Sequence, residues 1–358
     1  MTTVLVKRPE PARATDRTAA LLRAGRRRRN RRATVIAAGL AVLLVALLTA
    51  SVLLGGIGRV DPADVLPAAF GLRTGLADYM IFQLRVPRAL AALFAGALFG
   101  LAGAIYQRLI RNPLATPDIV GISAGAAAGA TTVLLYAPGA FALGAPVAAV
   151  TGSVVLLGAV YLLSYRGGID TYRLVLVGIG LSGVCTAYTN YLFTLADEQS
   201  IAIAARWMIG SVAAADWEGV TTLTVGLVVC AGATALLYRP LSGLTLGDQL
   251  ATGLGTKVAR TRVGVLLVGA AAAALATSVV GPIGFVSLIA GPIAQRLVGE
   301  ERAIALAPPV GAVIVLAADV LARHAPVISP VPTGVLTALL GAPYFVWLIL
   351  RRGPGATP

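Results

Sequence analysis

The stretch that decides the fold runs from Arg85 to Gly125 and reads RVPRALAALFAGALFGLAGAIYQRLIRNPLATPDIVGISAG. An apolar run of about 20 residues is long enough to cross a bilayer. Small residues recur at every fourth position of this run, a spacing that lets a neighbouring helix approach closely in lipid; they are Ala92, Gly96, Gly100 and Ala104. The stretch therefore predicts a tightly packed membrane-spanning helix, a polar turn and a second helix rich in small residues.

The composition indicates that most of the chain lies in a membrane. Its 358 residues are 58% hydrophobic and 12% charged, with a mean hydropathy of +0.86, which is more apolar surface than a soluble domain can bury. We predict an all-α membrane protein, a polytopic bundle of about ten transmembrane helices, some short or broken, with both termini in the cytoplasm. The predicted spans are 34–57, 88–107, 118–136, 142–164, 174–195, 219–238, 262–282, 285–298, 304–323 and 333–350.

The positive charges support this threading. Residues 1–33 hold eleven Lys and Arg, and basic residues beside a first span place that end in the cytoplasm. The threading puts 23 of the 29 basic residues on the cytoplasmic side, as the positive-inside rule requires. We divide the chain into a basic, disordered cytoplasmic tail at 1–33, a transmembrane domain at 34–352 and a short cytoplasmic tail at 353–358. Since no nucleic-acid-binding fold accompanies the basic tail, we expect no nucleic-acid partner.

Groups that could carry catalysis are scarce. The sequence has one His and two Cys, and its acids form no convergent acid–base or metal cluster. It also lacks the G-x-x-x-x-G-K-[ST] phosphate loop. We therefore expect no catalytic residue, no metal site and no cofactor bound by this chain.

Three motifs between Arg85 and Gly125 carry a family resemblance: R-x-P-R, then Q-x-L-x-R-N-P-L-A-x-P, then G-I-S-x-G. They resemble the FecCD-type permease subunits of ABC importers for iron-siderophores, haem and vitamin B12. The resemblance implies a non-enzymatic, multi-pass subunit of the bacterial cell membrane. It would pass an iron(III)-siderophore complex from an external binding protein to the cytoplasm, with vitamin B12 or haem as alternative cargoes.

The resemblance also implies partners. They are a second permease subunit (a copy or a relative), two ATPase subunits that hold ATP and Mg, and an extracytoplasmic substrate-binding protein. The ATPase would dock on a cytoplasmic coupling helix that resembles the family's L-G-x-x-x-A-x-x-L-G motif. The matching positions are Leu246, Gly247, Asp248, Ala251, Leu254 and Gly255, and we expect a charge introduced at Ala251 to disturb docking. From pattern alone, the alternative is a surface helix that rests on lipid headgroups.

Two further sets of residues take roles from the resemblance. Asn112 and Leu114 would narrow the cytoplasmic mouth of the pathway, with Thr171 and Tyr172 as a second constriction; without the resemblance, the first pair reads as a plain loop. The second set comprises Arg85, Arg88 and Arg323, which would meet acidic residues of the binding protein. Their alternative role is contact with lipid headgroups.

One segment departs from the family pattern. The family reads G-F-V-G-L-x-x-P-H-I-x-R, whereas this chain has Gly291 and Pro292 at the Pro-His position and Gln295 at the position of the Arg. The rival from another class is an ion-coupled secondary transporter. Such proteins place ionisable groups near the bilayer midplane, and here the acids fall at predicted span ends, which favours the ATP-driven importer.

Overall fold

The computed structural model describes residues 11–54, 76–136, 141–165, 171–324 and 331–351. Within these ranges the chain consists of helices and short turns, which confirms the predicted all-α polytopic bundle. The helices are α1 (Pro11–Leu53), α2 (Val86–Ile110), α3 (Ile122–Tyr136), α4 (Phe141–Ser164), α5 (Thr171–Leu195), α6 (Glu198–Ile209), α7 (Trp217–Leu244), α8 (Asp248–Gly253), α9 (Val258–Val280), α10 (Val286–Val298), α11 (Glu300–His324) and α12 (Thr333–Arg351). A turn of α-helix (Leu76–Tyr79) and a π-helical turn (Met80–Arg85) lead into α2, and a 3₁₀ turn (Pro117–Val120) precedes α3.

Ten of these helices correspond to the ten predicted spans. Seven segments are long and apolar enough to cross a membrane, and they lie in α1, α2, α4, α5, α7, α9 and α11. The apolar helices α3, α10 and α12 are shorter. The bundle therefore contains short helices, as the sequence predicts.

The basic tail is the first correction. Helix α1 begins at Pro11, so the expectation of disorder across 1–33 is wrong from that residue onward. The physical reason is local, because this segment is rich in Ala, Leu and Arg, which are strong helix formers. Residues 1–10 and the tail at 353–358 lie outside the described residues.

Helix α6 is an element that the sequence analysis does not predict. It follows the fifth span, and its first turn is capped by Asp197, whose carboxylate accepts a hydrogen bond from the Ser200 backbone N–H at 3.0 Å. This bond stabilises the ionised carboxylate and lowers the pKa of Asp197. A helix of this length is too short to produce a spanning signal.

Helix α2 lies at the centre of the bundle and packs against α11, α9, α10 and α7. Its glycines permit the closest of these contacts, since a Cβ on Gly96 would overlap the backbone of Gly311 and one on Gly100 would overlap the carbonyl oxygen of Ala307. Close backbone approach allows helices to gain dispersion energy where lipid offers no hydrophobic driving force. The predicted role of the small-residue spacing is confirmed.

Three segments of irregular backbone meet beside this core. They are the break between α9 and α10, the residues after α6 and the start of α12, and they provide one another with backbone hydrogen-bond partners. Ser211 N–H donates to the Val280 carbonyl at 2.7 Å, and Gly334 N–H donates to the Gly210 carbonyl at 3.0 Å. Non-helical backbone survives at membrane depth only where the protein supplies such partners. The break predicted before the span at 285–298 is present.

The contacts at the helix ends agree with the predicted threading. On the predicted cytoplasmic side, Arg108 of α2 donates to the Glu300 carbonyl at 3.1 Å and to the Ser242 hydroxyl at 3.1 Å. Predicted outer ends meet each other in the same way, as described below. Helices α1, α2, α7 and α11 therefore have the relative directions that the predicted threading requires.

The α2–α11 seam yields a stability prediction. We expect Gly100→Ala to lower the free energy of unfolding by about 2 kcal/mol, because the added methyl overpacks a backbone contact. Gly232→Ala in α7 is the matched control, since nothing lies within 4 Å of that position, and it should be neutral or stabilising by up to about 1 kcal/mol. Thermal unfolding of the purified chain in detergent measures both, and an equal response would contradict the proposed seam.

Candidate functional site

The outer arginine cluster is built on one buried acid, Asp319 of α11, which has no exposed surface. Arg88 at the start of α2 binds it through Nε and Nη2, at 3.1 and 2.8 Å from Oδ1. Arg323, one turn further along α11, places Nη2 2.6 Å from Oδ2, and the Thr333 hydroxyl donates to Oδ1 at 3.3 Å. Both carboxylate oxygens therefore have charged donors, which burial of the charge requires.

The same cluster completes the end of α1. The last carbonyls of a helix lack partners within it and carry the negative end of its dipole. Arg323 Nη1 donates to the Ser51 carbonyl at 2.9 Å, and Arg85 Nη1 donates to the Val52 carbonyl at 3.0 Å. Cations thus cap the outer end of α1 and join it to α2 and α11.

The structure brings the three predicted docking arginines together, but it does not present them to the outside. Arg85 is 6% exposed, and the side chains of Arg88 and Arg323 are 14% and 7% exposed. Their guanidinium groups are instead occupied largely by contacts within the chain. Some of the acceptors are backbone carbonyls, which have no signature in a sequence. Docking through these residues stays a prediction.

The proposed cytoplasmic gate starts at the turn after α2. Arg111 ends the helix in the left-handed conformation, with φ of 56°, and the Asn112 side chain accepts a hydrogen bond from the Leu114 N–H at 2.9 Å. The amide therefore shapes the turn that carries Leu114. Thr171 begins α5, and Tyr172 beside it is 73% exposed.

A polar cavity of about 270 Å³ lies next to this turn, lined by Gln107, Arg108, Arg111, Gln295 and Glu300 among others. Gln107 crosses from α2 to α10, where its Nε2 donates to the Leu288 carbonyl at 3.0 Å. A Cβ at position 291 would overlap the Gln107 side chain. Glycine at 291 thus leaves room for the end of this buried side chain.

The coupling motif forms a short helix, α8, between α7 and α9. Gly247 precedes it with φ of 101° and Gly255 follows it with φ of 82°, a conformation that favours glycine. Asp248 at its first turn pairs with Arg262 of α9 at 2.8 Å. The predicted helix is therefore present, with the motif glycines at both of its ends.

Three leucines in and beside α8 form an exposed apolar surface, the leucine face. Leu246, Leu250 and Leu254 are 56, 63 and 70% exposed, whereas Ala251 has no exposed surface. Because Ala251 packs inside the loop, a charge there would also disturb the fold of the chain itself, and its part in docking stays a prediction. Leu250, which the sequence analysis did not single out, faces outward in its place.

Together, the bundle of apolar helices, the leucine face on its cytoplasmic side and the buried ion cluster at the outer end of the bundle define a multi-pass membrane permease. The chain matches the FecCD transport family over residues 43–351 and belongs to that family. It is thus a permease subunit of an ABC importer in the bacterial cell membrane, and the ATPase of such importers is a separate chain.

Several similar proteins are permeases of such transport systems. The probable siderophore transport system permease protein YfhA of Bacillus subtilis is 39% identical over 326 residues, covering 87% of this chain and 94% of that protein. The Fe(3+)-citrate import system permease protein YfmE of the same organism is 36% identical over 312 residues, covering 86% and 93%. A solved structure of a metal-chelate type ABC transporter, in an inward-facing conformation, superposes with a TM-score of 0.78 at 30% identity, covering 89% of this chain and 99% of that one.

The outer arginine cluster yields a second prediction. We expect Asp319→Asn to lower the free energy of unfolding by about 3 kcal/mol, because it leaves two buried guanidinium groups without their counter-charge. Arg206→Gln is the control, an exposed arginine in α6 that should matter by less than about 1 kcal/mol. Thermal unfolding in detergent compares the two, and a change below 1 kcal/mol for Asp319→Asn would contradict the assigned role.

Proposed function

We propose that this chain carries an iron(III)-siderophore complex from an external binding protein into the cytoplasm. The names of the two relatives support an iron chelate as the cargo, since one is a siderophore permease and the other an Fe(3+)-citrate permease. Vitamin B12 and haem are the alternative cargoes. ATP and Mg belong to the partner ATPase in this proposal.

The observation that carries the proposal is the exposed face of α8. Leu250 of this short helix and the flanking Leu246 and Leu254 are exposed, whereas Ala251 is buried in its own chain. Outside the bilayer such side chains are in water unless a partner covers them, so burying each one stabilises a complex by about 1.5–3 kcal/mol. An ATPase subunit that receives this face would thereby pull on α7 and α9, the helices against which α8 packs.

Helix α5 supports a second permease subunit as a further partner. Most of its surface is exposed, including Gly180, Gly183, Thr186 and Asn190. Small and polar residues on an exposed face of a spanning helix are typical of close helix contacts or of a water-filled path. We propose that two permeases meet along this face, with Asn112, Leu114, Thr171 and Tyr172 narrowing the cytoplasmic end of the path between them.

The outer arginine cluster enters the proposal indirectly. It fixes the outer ends of α1, α2, α11 and α12, which is where a binding protein would land. The arginines could pair directly with the binding protein or could only position the helix ends that it contacts. Salt dependence separates these two roles, because direct charge pairs weaken at high salt. If Arg88→Gln lowers binding-protein affinity without changing its salt dependence, the cluster acts by positioning the helices.

An ion-coupled secondary transporter is disfavoured by the position of the charges. Such proteins use ionisable groups near the midplane, whereas the charged residues of the described spans lie toward helix ends. The buried Asp319 is itself one turn from the end of α11 and already holds two arginines.

The coupling role predicts a specific loss of transport. We expect Leu250→Asp to reduce ATP-driven uptake at least tenfold, while the protein remains folded, because a carboxylate would be buried in the docking contact. The matched control is Gln249→Asp, which adds the same charge to the neighbouring exposed position of the same helix. Uptake by proteoliposomes that contain the full importer measures the effect. Equal uptake by both variants would contradict coupling through the leucine face.

The cargo is tested by uptake in cells that lack this gene. We expect loss of radioactive iron uptake from an iron-siderophore complex, and unchanged uptake of haemin and cobalamin. In proteoliposomes with the binding protein and ATPase, uptake should require ATP and persist when ion gradients are collapsed. Loss of only haemin or cobalamin uptake would contradict the siderophore assignment, and dependence on a gradient would contradict the importer mechanism.

A further inference from the structure

A basic groove lies on the cytoplasmic part of α1. Arg28, Arg31 and Arg32 line an open groove of about 430 Å³ together with Val35 and Ile36. The spacing of these residues places them on one face of the helix. All three guanidinium groups are exposed, and none has a hydrogen bond or ion pair with another residue in the described part of the chain.

The opposite side of α1 is held to the protein. The Arg302 guanidinium of α11 donates to the Arg29 carbonyl at 3.0 Å and also bonds the Asn30 side chain, and Arg29 lies 3.5 Å from Glu301. Further along, the residues that pack on the core continue this side, among them Ala37, Leu40 and Leu44. The rotation of α1 is therefore fixed, so that the three arginines and Val35 face away from the bundle while Ile36 lies at the border between the groove and the core.

The groove lies at the depth of lipid headgroups. Val35 and Val42 are 63 and 70% exposed. They follow Arg28 at intervals of seven residues and therefore lie on the same side of α1. The side of the helix that carries the arginines thus continues as a lipid-facing surface. The segment from Val35 to Leu53 spans about 28 Å, close to the hydrocarbon thickness of about 30 Å. Arg28 to Arg32 thus fall just outside the hydrocarbon on the cytoplasmic side.

We propose that this groove binds one anionic phospholipid of the inner leaflet, with its phosphate between Arg28, Arg31 and Arg32 and an acyl chain along Val35 and Ile36. Arginine suits this role because its planar fork binds phosphate oxygens in a bidentate manner. An acidic protein surface fits less well, since the groove continues directly onto side chains that lie in the bilayer. The bound lipid would hold the inner end of α1, whose outer end is held by the arginine cluster.

The test compares two triple variants of the full-length chain in a mild detergent. Native mass spectrometry measures binding of added phosphatidylglycerol and phosphatidylcholine. We expect Arg28→Gln/Arg31→Gln/Arg32→Gln to weaken phosphatidylglycerol binding on the order of a hundredfold, which is about fivefold for each charge lost, with no change for phosphatidylcholine. The control Arg173→Gln/Arg239→Gln/Arg260→Gln removes the same charge from exposed cytoplasmic positions on three different helices, α5, α7 and α9, and its phosphatidylglycerol binding should stay within about twofold of the native chain.

Two additional arms keep the test decisive. The variant Arg28→Lys/Arg31→Lys/Arg32→Lys keeps the charges and should retain most of the phosphatidylglycerol binding. If the glutamine triple variant fails to insert into the membrane, the single variant Arg31→Gln replaces it, with an expected loss of binding of about fivefold. Inorganic phosphate should not compete with the lipid, because it lacks the apolar part. Equal losses in both glutamine triples, full competition by phosphate, or a loss of ATPase assembly with lipid binding retained would each overturn the proposal.

Discussion

Asp319 is a carboxylate with no exposed surface, and removing such a charge from water costs several kcal/mol before any partner is counted. Two arginines and a threonine offset that cost, and they come from the start of α2, the end of α11 and the start of α12. The arginines then reach the end of α1. A buried ion cluster adds little net stability compared with a well-packed apolar one, but this one is satisfied only when four helix ends meet in one register. Its main contribution is therefore specificity.

Small residues form the helix contacts inside the bundle, whereas exposed leucines form the surface proposed for the ATPase. Glycine and alanine bring α2 and α11 into backbone contact, and polar bonds join the pair at both ends. Helix α8 packs on α7 and α9, which in turn pack on α2. The leucine face is therefore connected to the central helix through α7 and α9.

The sequence is sufficient to predict the spans, because a hydrocarbon environment forces long apolar runs, and its resemblance to the family motif predicts the short helix α8, whose flanking glycines have positive φ. It is insufficient where the decisive partner is a backbone atom or where an element is short. The bonds from Arg85 to the Val52 carbonyl and from Arg323 to the Ser51 carbonyl leave no trace in the sequence. The exposure of Leu250 and the burial of Ala251 are not predicted either, because a helix of six residues offers too few turns for periodicity to show which side is buried. Helix α6 is missed for the same lack of length.

The junction of α6, α9 and α12 also constrains how the chain enters the membrane during synthesis. Helix α10 has 13 residues, about 20 Å of rise, which cannot cross a hydrocarbon layer of about 30 Å. At the junction beside α10, the N–H of Ser211 donates to the carbonyl of Val280 at the end of α9. The N–H of Gly334, from a later part of the chain, donates to the carbonyl of Gly210. Exposed to lipid alone, such groups cost several kcal/mol each. The full set of backbone partners at this junction therefore exists only after the start of α12 has been translated.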